Sequence, residues 1–142
     1  MLESINLKSN VAVFAQIENE VRFAIASGAL KAGEKLPTVR AVADTLAVNP
    51  NTVAKAYRDL EIMGLVYTRR GMGIFIKEGV ESQCQSECYR DIISKMHEVV
   101  AEAKAAGLKE TDVKSLAKKC FASECTPYET PPSSIMALSR KM

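Results

Sequence analysis

Val48-Asn49-Pro50-Asn51-Thr52-Val53-Ala54-Lys55-Ala56-Tyr57-Arg58-Asp59-Leu60 is the stretch whose reading decides the fold. Val53, Ala56, Tyr57 and Leu60 recur at i, i+3, i+4 and i+7, which places them on one inward face of a helix. Asn49, Asn51, Thr52, Lys55 and Arg58 occupy its start and outer side. Asn49 suits the N-cap, and Pro50 suits the first helical position, where no amide proton is needed. Gly64 supplies the stop. A helix with so polar a first turn can face a solvated partner.

Working backward, Leu46-Ala47-Val48 is a tight turn, preceded by a short helix over Val39–Leu46 that Thr38 caps just after Pro37. Val39, Val42, Ala43 and Leu46 make its apolar stripe. Two short helices joined in this way match helix-turn-helix geometry. The second helix of such a pair enters the DNA major groove with its N-terminal residues first. An ordinary helical hairpin inside a core has the same local pattern, so the rest of the chain must decide.

Upstream, Leu7–Asn10 reads as a lead-in. A first helix is expected over Val13–Ser27, with Phe14, Ile17, Val21, Ala24 and Ile25 at helical spacing. Gly28 ends it and Leu30 folds back. Lys31–Glu34 is a turn, and Lys35-Leu36 a short strand. Downstream, Leu65–Ile76 holds two β-prone runs around a turn with Gly71 and Gly73, which reads as a hairpin. Arg69 and Arg70 lie at its tip. A hairpin with arginines beside a helix-turn-helix is a wing, able to pair with phosphate or enter the minor groove. Tyr57 reads as a packing residue with a satisfied hydroxyl, Arg58 and Asp59 as solvated or locally paired, and Arg22 as solvated in preference to a phosphate contact.

The 142 residues allow one compact domain, or a small one plus an appendage. No apolar run approaches the ~20 residues that span a bilayer. The start, Met1–Asn6, lacks the pattern of a signal peptide. The expected location is the cytoplasm, with Cys84, Cys88, Cys120 and Cys125 as reduced thiols. Net charge is only +2, but residues 8–77 carry ten Lys and Arg against six Asp and Glu, and residues 78–142 nine against ten. The positive charge sits with the helix-turn-helix, a modest form of the footprint left by phosphate contact.

Five strings in order carry a resemblance: Leu36-Pro37-Thr38-Val39-Arg40, Val48-Asn49-Pro50-Asn51-Thr52-Val53, Ala56-Tyr57-Arg58-Asp59-Leu60-Glu61, Gly64-Leu65-Val66, and Arg69-Arg70-Gly71-Met72-Gly73-Ile74-Phe75. Over about residues 9–77 the chain resembles the DNA-binding domain of the GntR family of bacterial transcription regulators. The Asn-Pro-Asn-Thr-Val start of the recognition helix and the short C-terminal region resemble the YtrA-like subfamily. The resemblance implies a winged helix-turn-helix, a homodimer and a palindromic DNA operator, and the expected action is repression by occupying that operator. The resemblance assigns DNA contact to Arg40, Asn49, Asn51, Thr52, Arg70, Gly71 and Gly73, and Thr38, Lys55 and Arg69 join them as candidates from their places on the same elements. Pro50 and Ala54 stand where many relatives have arginines, which shifts base readout toward Asn51, Thr52, Lys55 and Arg40. Asn suits bidentate contact with adenine, and Arg with guanine.

In the second half a long helix is expected over Ser82–Ala106. Tyr89, Ile92, Met96, Val99 and Ala103 form a seam at spacings of three and four, widened by Ile93 and Val100. Gly107 ends it and Leu108 latches. Thr111 is expected to cap a last helix, to Phe121, with Val113, Leu116, Ala117, Cys120 and Phe121 on one face. Two such stripes cannot both be buried within one chain, so a twofold dimer is expected. The domain plan is therefore 9–78 for a winged helix-turn-helix, 79–122 for a two-helix dimerisation region and 123–142 for an irregular tail. The fold class is mainly α with a small β hairpin.

Cys84 and Cys88 are four apart and share one face of the helix, while His97, further along the same helix, reads as a solvated surface residue. Four thiolates could hold zinc if the two last helices met, but Cys-x3-Cys on a helix is a weak signal, and no metal or other cofactor is expected. No nucleophile stands near a histidine and no glycine-rich phosphate loop follows a strand, so no enzyme is expected. The rival readings are a metal- or thiol-responsive DNA-binding sensor and a winged helix used for protein interaction. An unknown small-molecule effector would have no polar cluster to mark its pocket.

Overall fold

The computed structural model of the chain describes Leu2 and residues 4–122. The expected tail, with Cys125, Ile135, Met136 and Leu138, lies outside the described residues. The order is α1 (Val13–Ala26), α2 (Val39–Leu46), α3 (Pro50–Ile62), β1 (Val66–Arg69), β2 (Gly73–Ile76), α4 (Glu81–Ala105) and α5 (Glu110–Phe121). Each expected helix and the hairpin are present, with ends shifted by at most two residues. Contacts divide the chain into two units between Arg90 and Asp91.

The first unit is built around α3. Its Val53, Ala56, Tyr57 and Leu60 are all buried, and it packs against α1, α2 and β1. From α1 come Ile17, Val21 and Ile25, one residue per turn; from α2 come Val42 and Ala43. Each fully buried aliphatic side chain of this kind stabilises the fold by roughly 1.5–3 kcal/mol. The hairpin pairs Val66 with Ile76, Tyr67 with Phe75, Thr68 with Ile74 and Arg69 with Gly73. The expected strand at Lys35-Leu36 forms as a single bridge from Lys35 to Phe75. It is held by Leu36 N donating to Ile74 O at 2.8 Å and Ile76 N to Glu34 O at 2.9 Å.

Caps set the helix starts. Thr38 Oγ1 accepts from Ala41 N at 3.1 Å. Asn49 Oδ1 accepts from Asn51 N at 2.8 Å, with Pro50 at the first position. Between α2 and α3 the chain reverses through Ala47 at φ 54° and ψ 45°. It is the one non-glycine residue at positive φ among the described residues. Its Cβ meets steric resistance there that glycine escapes.

Two readings are corrected. Arg22 is not solvated: its side chain is 14% exposed and its Nη2 lies 3.4 Å from Glu87 Oε2 on α4. Thr111 does not cap α5, because the cap is Lys109, whose amide donates to Asp112 Oδ2 at 2.8 Å. The start of α4 also belongs to the first unit's core. Val80 and Cys84 are buried in it and Cys88 is buried one turn on, so this unit runs past the Glu78 boundary expected from sequence.

In the second unit, Gly107 follows α4 at φ 83° and Leu108 N turns back to Ala103 O at 2.9 Å. An apolar groove of about 570 Å³ is lined by Met96, Val99, Ala103, Leu116, Cys120 and Phe121, among others.

Replacing Ala47 by glycine should relieve the left-handed strain. Ala47→Gly is expected to stabilise the protein by roughly 1 kcal/mol in urea unfolding at fixed protein concentration, because the relief exceeds the added chain entropy of glycine.

Candidate nucleic-acid interface

The polar residues singled out by sequence fall on three places: the start of α2, the start of α3 and the hairpin turn. Arg40 is exposed in the first turn of α2, and Asn51 in the first turn of α3. Among the described residues the side chains of Arg40, Asn51 and Arg70 make no hydrogen bond or ion pair within the chain. Thr38 and Asn49 are exposed but spend their oxygen acceptors on caps, which leaves the Asn49 amide NH2 and the Thr38 hydroxyl proton able to donate. Thr52 is partly exposed.

The wing turn is closed by Met72 N donating to Arg69 O at 2.9 Å. Gly71 takes its third position at φ 78°, as a type II turn requires. Gly73 is tighter still. At φ 125° an L side chain is strained, and a Cβ would also displace the flexible end of Lys35, whose Cε would lie 2.5 Å away. Arg69 does not project freely: its guanidinium lies 5.9 Å from the ring centroids of both Tyr67 and Phe75. Those rings stack with centroids 5.8 Å apart. The aromatic pair braces the wing arginine by cation–π attraction, while Arg70 is exposed at the tip.

Lys55 is also held. Its Nζ lies 2.7 Å from Asp59 Oδ2, one turn on, and 4.2 Å from the centroid of the Phe14 ring on α1. Asp59 in turn accepts a hydrogen bond from Glu18 of α1. Burial, then the hydrogen bond and the charge of Asp59, push the Glu18 carboxyl up to about 7. The Lys55 ammonium first, and then the Glu18 bond, hold the Asp59 carboxyl below the ordinary carboxylate range. The sequence reading missed Glu18, since only its helical register opposite Phe14 and Lys55 could have pointed to it.

Tyr57 is a packing residue, as expected. Its hydroxyl donates to Pro37 O at 2.8 Å, and burial pushes its ionisation up to about 12. That bond ties the middle of α3 to the approach to α2. A second tie runs from α3 to the wing, where Thr68 N donates to Glu61 Oε1 at 3.1 Å.

Cys84 and Cys88 lie one turn apart on α4. Cys84 is fully buried, and its thiol is pushed up to about 11, first by burial and then by the neighbouring Cys88 and Glu87. It is therefore protonated at neutral pH, unlike the thiolate that binds metal or reacts. Cys88 is buried and Cys120 is exposed. Among the described residues no group of three or more His, Cys, Asp and Glu could hold a metal ion. No helix among them is long and apolar enough to cross a membrane.

A capped helix pair with a polar second helix, followed by a basic hairpin, defines a winged helix-turn-helix DNA-binding protein. The family described as bacterial regulatory proteins, gntR family, matches residues 14–76. The HTH-type transcriptional repressor YtrA of Bacillus subtilis (strain 168) is 33% identical over 104 residues, covering 73% of this chain and 80% of that protein. A GntR family transcriptional regulator from Listeria monocytogenes is similar in structure, with TM-score 0.63 and 29% identity over 80% of this chain and 98% of that one. YtrA from Sulfolobus acidocaldarius, a GntR-family transcription factor, gives TM-score 0.51 and 32% identity over 66% of this chain and 99% of that one. The chain belongs to the GntR family, with its likeness on the YtrA side, and is a sequence-specific DNA-binding transcriptional regulator rather than an enzyme.

Tyr57→Phe should lower stability by about 1 kcal/mol in urea unfolding, the ordinary loss for one such hydrogen bond. DNA affinity measured below the unfolding transition should stay within twofold, since the ring still fills its place.

Proposed function

We propose that the chain acts in the cytoplasm as a homodimeric repressor on an inverted-repeat operator. Each copy lays the start of α3 in the major groove of one half-site and brings its wing to the neighbouring backbone or minor groove. The observation that carries this reading is the unpaired, exposed trio of Arg40, Asn51 and Arg70, one on each of the three places that meet DNA in a winged helix-turn-helix. Arg40 and Asn51 read base edges, Asn49 and Thr52 support them at the helix start, and Thr38 holds the α2 start in place. Arg69, Arg70 and the Gly71–Gly73 backbone contact the sugar-phosphate backbone or minor groove. Lys55 contributes charge from its tether rather than a direct base contact.

The dimer reading rests on the second half of the chain. Tyr89, Ile92, Met96 and Val99 are each about half exposed or more, and Phe121 is 96% exposed. A surface with so many large apolar side chains along one helix seam is the kind that a partner covers. A second copy offers the same seam, as a twofold contact requires. The expected 79–122 dimerisation region, with Tyr89, Ile92, Met96, Val99 and Ala103, is retained on that ground.

Selection from a random duplex pool should enrich an inverted repeat; binding without enrichment would leave a nonspecific DNA binder. On the selected duplex, Arg40→Ala should weaken binding by ~1–3 kcal/mol and relax the preference at one position of each half-site. Unchanged affinity would remove Arg40 from the interface. Met96→Glu with Val99→Glu should give monomers by sedimentation, and a surviving dimer would place the interface elsewhere.

A further inference from the structure

We propose that the Glu18–Asp59 carboxyl pair is a proton-linked positioning device for Lys55, so that operator binding takes up a proton and weakens as pH rises through neutrality. This rests on the reading of α3 as the DNA-contacting helix. The pair joins α1 to α3 at the one cation of α3 that is doubly held, by Asp59 at 2.7 Å and by the Phe14 ring at 4.2 Å. Among the described residues no group hydrogen-bonds Glu18 Oε1, which is buried. That fits a neutral carboxylic acid better than a carboxylate, since a buried charge needs its lone pairs satisfied.

The charged groups around Glu18 are few. From α3 it faces Asp59 and Lys55, with Arg58 beyond Asp59; on α1 it faces Arg22. Through Arg22 it meets Glu87 on α4 at 3.4 Å. With Glu18 protonated, its hydroxyl donates to Asp59 and the pair carries one negative charge, which Lys55 neutralises. With Glu18 ionised, two carboxylates face each other across the α1–α3 contact. The cluster with Lys55 then carries a net negative charge, and the ammonium is drawn inward between two anions. An incoming phosphate meets that charge unfavourably. By linkage, bound DNA favours the protonated form as much as protonation favours DNA.

The same group sets a stability window. The folded-state value of about 7 lies above the ordinary 4.5. Between those two pH values the native state holds a proton that the unfolded chain has lost, so stability falls with rising pH. The contribution is fully present below 4.5 and is lost as pH rises through 7.

The test is affinity for the selected duplex between pH 6 and 8 at constant ionic strength, with Glu18→Gln beside the wild type. Glutamine keeps the hydrogen bond to Asp59 and cannot ionise. The wild type should lose affinity severalfold from pH 6 to 8, while Glu18→Gln stays nearly flat and binds more tightly than wild type at pH 8. Carbon-13 NMR of the free protein should show the Glu18 carboxyl titrating near pH 7. Parallel affinity profiles for the two proteins, or a Glu18 midpoint near the ordinary value, would overturn the proposal while leaving the DNA reading intact. A wild type that bound no duplex at any of these pH values would remove the DNA reading and this inference with it. A merely structural role for Glu18 would shift the denaturation midpoint without changing the slope of affinity against pH.

Discussion

The position of every candidate DNA contact depends on α3 having two incompatible surfaces. Val53, Ala56, Tyr57 and Leu60 must be dry, and in this structure they are, between α1, α2 and β1. Asn51, Lys55 and Arg58, one or two residues away, are exposed. A helix turns 100° per residue, so the register that buries the first set fixes the direction of the second. Rotating α3 by one residue would turn Lys55 and Asp59, or Arg58 and Glu61, against Ile17 and Val21, with a large desolvation cost. Specificity toward DNA is thus anchored by aliphatic packing on the opposite face of the same helix.

The same helix also sets the places of its neighbours. Tyr57 reaches back to Pro37 O and so places the start of α2. At its other end, Leu65 N donates to Leu60 O and Glu61 accepts from Thr68 N, which starts the wing. The wing is then stiffened by the Tyr67–Phe75 stack with Arg69 over it. These contacts reduce the freedom that polar and cationic side chains would lose on meeting DNA, and less ordering cost means more of the contact energy appears as affinity.

What the sequence made legible was local. Periodicity placed five helices, caps placed Thr38 and Asn49, and the two glycines placed the hairpin turn, because each signal lies within one or two turns of the residue it describes. What stayed hidden needs partners far along the chain. Ala47 looks like a helix former and is left-handed only because α2 and α3 must meet at that angle. Val80 and Cys84 read as the start of an appendage, yet they complete the core laid down by α1 and Ile76. Arg22 reads as surface until Glu87, on another helix, stands beside it. The Glu18–Asp59 contact joins residues on two helices, each with an unremarkable polar pattern of its own.

The two cysteines at the start of α4 show how chemistry depends on such placement. On a helix drawn alone they are neighbours at i and i+4, and a metal site is conceivable. Packed against the core, Cys84 has no solvent and its thiol keeps its proton. A metal there would have to displace a proton from a buried sulfur and bring its own charge into an apolar interior, with no third ligand among the described residues. Small apolar volume is a sufficient role for Cys84: it lets α4 approach closely enough for Glu87 to reach Arg22. That approach links α4 to α1, and α1 carries Glu18 toward α3. The start of α4 is therefore connected by side-chain charges, through α1, to the helix that carries the candidate DNA contacts.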